Sequence, residues 1–170
     1  MSEYLFDPSL ISAQVRESIG PDFSVRPLSI NDFENGYMEI LQTLTTVGDV
    51  TKEMYEAQFS LMKSLNKYIV VFVETKSNKI AASGALLVEL KFAQNCGKVG
   101  HIEDVAVIPS FQGRKLGFLI ISVLKAMAVD LKCYKISLNC NEGNIPFYQK
   151  CGLEKRESQM VLYIKSLQRL

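Results

Sequence analysis

The chain has one histidine, His101, and four cysteines, Cys96, Cys133, Cys140 and Cys151, in 170 residues. No two cysteines stand as C-x-x-C, so the residue types that build a zinc centre are not grouped, and no metal is expected. Net charge is nearly absent, with 19 Lys and Arg against 18 Asp and Glu. Nucleic acid and acidic membranes call for clustered cations, so neither is an expected partner. No apolar run reaches membrane-spanning length: Phe118 to Val129 is interrupted by Lys125 and patterned as a helix. The sequence does not open on a basic patch followed by an apolar core, so no secretory signal is expected. A cytoplasmic protein with reduced thiols, each read as a small buried hydrophobe, follows as the expectation.

What is present is ordinary for a globular protein: 48% hydrophobic and 22% charged residues in 19.1 kDa. Residues 1–22 read as an N-terminal arm, with Asp7-Pro8-Ser9 capping a short amphipathic helix. Residues 23–170 read as a single domain. Phe23 to Leu28 is an expected edge strand, because Pro27 cannot donate to a ladder. One helix is expected from Ser29 or Asn31 through Leu44, and a second from the Thr51 cap to about Asn66. Three apolar segments follow, Tyr68 to Glu74, Ile80 to Leu90 and Val99 to Ile108, joined by short polar turns and hence antiparallel. A long helix to Leu131 crosses to a strand over Tyr134 to Cys140, whose alternation sets Lys135, Ser137 and Asn139 on one face. A helix capped by Asn144 and closed by Gly152 comes next, and a last strand over Met160 to Ile164. The fold class is α/β (α+β), a mixed and mostly antiparallel sheet flanked by helices.

The order is arranged around Gly100 to Phe118, G-H-I-E-D-V-A-V-I-P-S-F-Q-G-R-K-L-G-F. Its first half is a strand closed by Pro109. Its second half opens a helix, since Leu116, Ile120, Val123, Leu124, Met127 and Leu131 recur at helical spacing. Between them, Gln112-Gly113-Arg114-Lys115-Leu116-Gly117 aims free backbone N–H groups, and the positive end of a helix dipole, at one point suited to phosphate. The turn is neither G-x-x-x-x-G-K-[ST] nor G-x-G-x-x-G, and by itself it fits plain turn chemistry equally.

Paired with Asn144-Ile145-Pro146-Phe147-Tyr148-Gln149-Lys150-Cys151-Gly152-Leu153, the turn resembles the GNAT superfamily of acetyl-CoA-dependent N-acetyltransferases. That superfamily carries [Q/R]-x-x-G-x-[G/A] after a strand and N-x-x-x-F/Y-Y-x-x-x-G-F/L in a later helix. Gln112 and Gly117 match the ends of the first motif, while Lys115 replaces its middle glycine and should leave that backbone position less free to approach a ligand. Leu44 to Gly48, Gly100 to Asp104, Cys133 to Ile136 and Phe147 to Gly152 are similar to the glucosamine-6-phosphate N-acetyltransferases in particular.

The resemblance implies a GNAT acyltransferase fold and acetyl-CoA as co-substrate. It places the donor on Val105, Ala106, Val107, Gln112, Gly113, Arg114, Lys115, Leu116, Gly117, Phe118, Asn144, Phe147 and Tyr148. It makes Tyr148 the hydroxyl that meets the departing thiolate, as phenol and thiol pKa values are close enough to share a proton well. It places glucosamine 6-phosphate near Thr45, Lys91, Tyr134 and Lys135, with Glu103 and Asp104 on the sugar hydroxyls or amine. Both acids read equally as a salt bridge at a strand end; adjacent strand residues point to opposite faces unless a bulge intervenes. His101 reads as structural rather than as the base. Asn139 stands where the family usually has an acid. An amide is no base, so Asn139 would orient the amine, and deprotonation would pass to Glu103 or Asp104 through water. Cys140, at the end of its strand, is the thiol placed to form a disulfide with CoA; its plainer reading is a buried inert thiol. A homodimer is implied. Two rivals remain: an acetyltransferase for another amine such as a polyamine or a protein N-terminus, and a catalytically silent acyl-CoA-binding protein, which Asn139 keeps open.

Overall fold

A computed structural model of the chain describes residues 3–164. It divides into two compact units, one up to Leu138 and one from Asn139 onward.

The first unit is built on a sheet of five strands in sequence order: β1 (Phe23–Pro27), β2 (Lys67–Glu74), β3 (Ile80–Leu90), β4 (Lys98–Val107) and β5 (Cys133–Ser137). The first four are antiparallel, with short connections from β2 to β3 and from β3 to β4, and β5 runs parallel to β4 after a helical crossover. The proline-bearing β1 lies at the edge. β2 is apolar between its charged ends and buried from Ile69 to Val73, because both of its faces are covered. On one face Ile69, Val71 and Val73 pack with Tyr37, Ile40, Tyr55 and Phe59. These come from α2 (Tyr37–Gln42) and α3 (Lys52–Met62). On the other face lies α4 (Leu116–Asp130), whose Leu116, Ile120, Ile121, Val123, Leu124, Met127 and Ala128 are all buried.

The arm packs on this body. Leu5, Ile11 and Ile19 are buried, and the Leu5 N–H donates to the Leu28 carbonyl at 2.8 Å. Its expected helix is two pieces, a 3-10 turn over Pro8–Leu10 capped by Asp7 and α1 (Ala13–Glu17) capped by Ser12.

The single helix expected from Ser29 or Asn31 through Leu44 is also broken. Ser29 caps a 3-10 turn, Ile30–Phe33, in a reciprocal box with Asp32. Gly36 then takes φ 90°, which no continuing helix allows, and α2 starts afresh. Asp32 is fully buried there, with the Arg26 guanidinium bonding both its oxygens at 2.7 Å. Helix α3 starts at the predicted Thr51 cap but stops at Met62, short of Asn66. The Asn66 carbonyl already accepts from Val88 N–H at 2.8 Å, so the chain has entered the sheet by that point.

Two further expectations are corrected. β5 ends at Ser137, so Leu138, Asn139 and Cys140 lie beyond the strand rather than on its alternating faces. Met160 to Ile164 form no strand and are exposed. The described residues from Asn139 onward contain no other strand, and a lone strand leaves its backbone groups unpaired. This second unit holds a 3-10 turn, Glu142–Asn144, and α5 (Ile145–Lys150). Asn144 does not cap α5 through its side chain, because its own backbone is already helical. Gly152, at φ 85°, does close the helix as expected: its N–H reaches the Gln149 carbonyl, and Leu153 N–H reaches Tyr148.

Candidate active site

β4 and β5 pair only from Lys98↔Cys133 to His101↔Ser137. Past His101, no described strand pairs with that side of β4, so Val105, Ala106 and Val107 present backbone N–H and C=O groups along an open edge. An extended polar chain can add to such an edge by main-chain hydrogen bonds. Beside it β4 is bulged. Ser83 faces Ala106 and Ala85 faces Glu103, so Gly84 stands opposite two residues, Asp104 and Val105. Asp104 takes φ 53° to make the bulge. Gly84 must be glycine, since a Cβ there would lie 2.5 Å from the Ile120 side chain on α4.

The bulge also decides the question of faces. Glu103 and Asp104 are both exposed. Lys67 reaches Asp104 at 3.5 Å, while none of the hydrogen bonds or ion pairs described here involves Glu103. The nearby Tyr37 phenol is pushed up in pKa, first by burial and then by the Asp104 charge.

Behind the open edge the chain makes a 3-10 turn over Pro109–Phe111 and then the turn into α4. Gly113 takes φ 78° and Lys115 φ 62°. Lys115 therefore adopts the left-handed backbone that the motif's glycine would supply, at a strain of about 1–2 kcal/mol. Leu116, Gly117 and Phe118 form the first turn of α4, where N–H groups have no helical acceptor. Gln112, Gly113, Lys115 and Phe118 are exposed around them. Arg114 is engaged elsewhere. Its guanidinium bonds Glu74 at 3.2 Å, lies 3.8 Å from Asp22, and covers the rings of Phe23 and Phe111. Among the described residues, no hydrogen bond or ion pair engages the Lys115 ammonium at this turn.

Of the residues expected near the sugar phosphate, Thr45 is exposed in the turn after α2, and Tyr134 and Lys135 are exposed on β5. Lys91 donates to Glu89, whose other oxygen lies 2.9 Å from His101 Nε2. His101 Nδ1 lies 3.1 Å from Ser137 Oγ, at the last pair before the strands part. His101 thus has a structural partner on each nitrogen. Glu89 was not singled out from sequence. Its only local signal is an acid two residues before a lysine at a strand end, and the link to His101 spans twelve residues.

In the second unit, Asn139 and Cys140 are both exposed, so Cys140 is not the buried thiol of its plainer reading; Cys151 is buried. The Phe147 and Tyr148 rings meet edge to face at 5.0 Å. Burial first, then the neighbouring Cys140 and Cys151, push the Tyr148 phenol up in pKa. A phenol so placed keeps its proton and is a donor through the neutral range. Among the described residues no three His, Cys, Asp or Glu side chains gather as metal ligands.

Comparison with known proteins agrees with this geometry. The model of the acetyltransferase (GNAT) family matches residues 34–153. Glucosamine 6-phosphate N-acetyltransferase 1 of Dictyostelium discoideum is 46% identical over 143 residues, covering 83% of this chain and 90% of that protein. Glucosamine 6-phosphate N-acetyltransferase of Arabidopsis thaliana is 41% identical, covering 83% of this chain and 96% of its own length. The crystal structure of the Arabidopsis thaliana enzyme superposes with a TM-score of 0.82 at 39% identity, over 85% of this chain and 100% of that one. The family model covers most of the chain and these relatives match it over most of their own length, and the chain belongs to the GNAT acetyltransferase family, among the glucosamine 6-phosphate N-acetyltransferases.

Proposed function

We propose that this chain transfers the acetyl group of acetyl-CoA to the amine of D-glucosamine 6-phosphate, giving N-acetyl-D-glucosamine 6-phosphate and CoA by direct attack in a ternary complex. The observation that carries the reading is the parting of β4 from β5 at His101 and Ser137, directly ahead of the glycine turn and α4.

The donor's pyrophosphate would take the backbone N–H groups at the start of α4, with Lys115 adding charge. The pantetheine arm would add to the open edge at Val105, Ala106 and Val107, and a backbone N–H there would polarise the thioester oxygen. Asn144 and Phe147 would border the donor. As the amine attacks, the carbon–sulfur bond breaks and the thiolate takes the proton held by Tyr148. Asn139 would orient the amine, and Glu103 or Asp104 would accept its proton through water, both being exposed at the bulge. Thr45, Lys91, Tyr134 and Lys135 would hold the sugar phosphate. Residues 23–170 would act as one catalytic domain in the cytoplasm, in amino-sugar biosynthesis leading to UDP-GlcNAc.

The substrate reading is tested by steady-state assay with acetyl-CoA and a panel of amines. Glucosamine 6-phosphate should give a kcat/KM at least about tenfold above that of unphosphorylated glucosamine, a margin one good charge-assisted contact supplies. Equal values would remove the phosphate site; a better polyamine substrate, or no turnover at all, would replace the reading with one of its rivals.

We further propose a homodimer whose second subunit completes the sugar site. Met160 to Ile164 are apolar and exposed, with no strand partner among the described residues, which suits pairing with a second copy. Sedimentation at micromolar concentration should show a dimer, and a fully active monomer would reject it.

Cys140, exposed and near the Tyr148 phenol, is the thiol proposed to form a disulfide with CoA. The step needs an oxidant: two thiols lose two electrons and two protons as the S–S bond forms. Mild oxidation with CoA should add one CoA mass, absent in Cys140→Ser. An adduct on Cys96, Cys133 or Cys151 would place the thioester elsewhere.

A further inference from the structure

Glu89 has no part in the reaction as described, yet its carboxylate is fixed at both oxygens. One accepts from Lys91 Nζ, and the other lies 2.9 Å from His101 Nε2. A carboxylate only accepts, so Nε2 carries the hydrogen; in the neutral ring Nδ1 then accepts from the Ser137 hydroxyl at 3.1 Å. The resulting chain, Lys91 to Glu89 to His101 to Ser137, runs from the end of β3 across β4 to β5. Stability does not explain it. Lys91 and Glu89 are 38% and 42% exposed, and an ion pair that open is screened by solvent and contributes little. Nor does simple electrostatics, since a carboxylate beside a phosphate site repels the ligand.

We propose that Glu89 is a positioning residue for the phosphate-bearing substrate, holding Lys91 in place while His101, anchored on Ser137, keeps the carboxylate from following the lysine. The proposal rests on the reading that Lys91 helps to hold the sugar phosphate. A lysine has four rotatable bonds, and ordering such a side chain carries a substantial entropy cost. Glu89 meets that cost before substrate arrives. It occupies one N–H of the ammonium and leaves two for phosphate. The Lys91 hydrogen bond, and then that of His101, lower the Glu89 pKa, so the carboxylate stays ionised where the enzyme works.

Glu89→Gln separates positioning from charge because the two predict opposite signs. Loss of a repelling charge would lower the KM for glucosamine 6-phosphate. Loss of positioning should raise it about tenfold, with kcat and the KM for acetyl-CoA held within about twofold. The kcat/KM for unphosphorylated glucosamine should not change. In a Lys91→Met background Glu89→Gln should have no further effect, and Glu89→Asp should recover part of the loss. Imidazole 15N spectra of the resting protein should show His101 protonated at Nε2 alone in the wild type and a tautomer mixture in Glu89→Gln. A lowered KM, an equal loss on both sugars, or a full effect persisting without Lys91 would overturn the proposal. If the wild-type enzyme shows no preference for the phosphorylated sugar, the phosphate reading itself fails, before any Glu89 variant is measured, and this proposal falls with it.

Discussion

Tyr148→Phe should lower kcat by about 10²- to 10³-fold while the affinity for acetyl-CoA stays within about threefold, the range expected when a positioned proton donor is lost. Only the hydroxyl is removed, so the edge-to-face packing on Phe147 survives and the variant should fold. The phenol is suited to the task because burial, with Cys140 and Cys151 beside it, raises its pKa. The sign is simple: a raised phenol pKa means the proton stays on through the range in which a free phenol begins to lose it. Wild-type kcat should therefore show no alkaline loss from this group near pH 10, the unperturbed phenol value. Rapid-quench measurement of the acetyl-transfer step, with calorimetry of donor binding, checks both parts. A fall in donor affinity with kcat untouched would make Tyr148 a packing residue.

Gly117→Val should do the reverse, weakening acetyl-CoA binding by about a hundredfold or beyond detection, with no loss of fold. Gly117 is the second residue of α4 and is helical, so exchange for valine does not lower helix propensity. What changes is the room in front of the first free N–H groups. An isopropyl group there holds a pyrophosphate off hydrogen bonds that need about 2.9 Å, and a charge-assisted bond is lost steeply with distance. Isothermal titration with CoA and circular dichroism on the same sample decide it. Normal affinity would mean that the donor does not use this turn.

Much of the scaffold for these two residues was legible in the chain. The β-branched run ending at Pro109, the glycine-bearing turn at 113 and the 3.6-residue spacing from Leu116 gave strand, turn and helix, because each depends on neighbours within a turn or two. The Thr51 cap was legible for the same reason. Short turns made the antiparallel order of β2, β3 and β4 legible, while the long helical link from β1 to β2 left the place of β1 to the fold. The motif residues on both sides of Cys140 marked the family before any coordinate did.

Tertiary structure decided what depends on counting across strands or on partners far along the chain. The bulge that exposes both Glu103 and Asp104 exists because β4 has one residue more than β3 between two pairings, which neither strand shows alone. Where β4 and β5 part is a matter of register, and sequence alternation carried β5 three residues too far, to Cys140. Arg114 looked like a phosphate ligand beside its glycine, but Glu74 and Asp22, forty residues and more upstream, hold it. Glu89 and His101 meet only because the β3–β4 hairpin brings residues twelve apart to one face. Local chemistry wrote the elements of this protein; their pairing register, a non-local quantity set by packing on α4 and by glycine at 84, determined which backbone and side-chain groups were left open to a substrate.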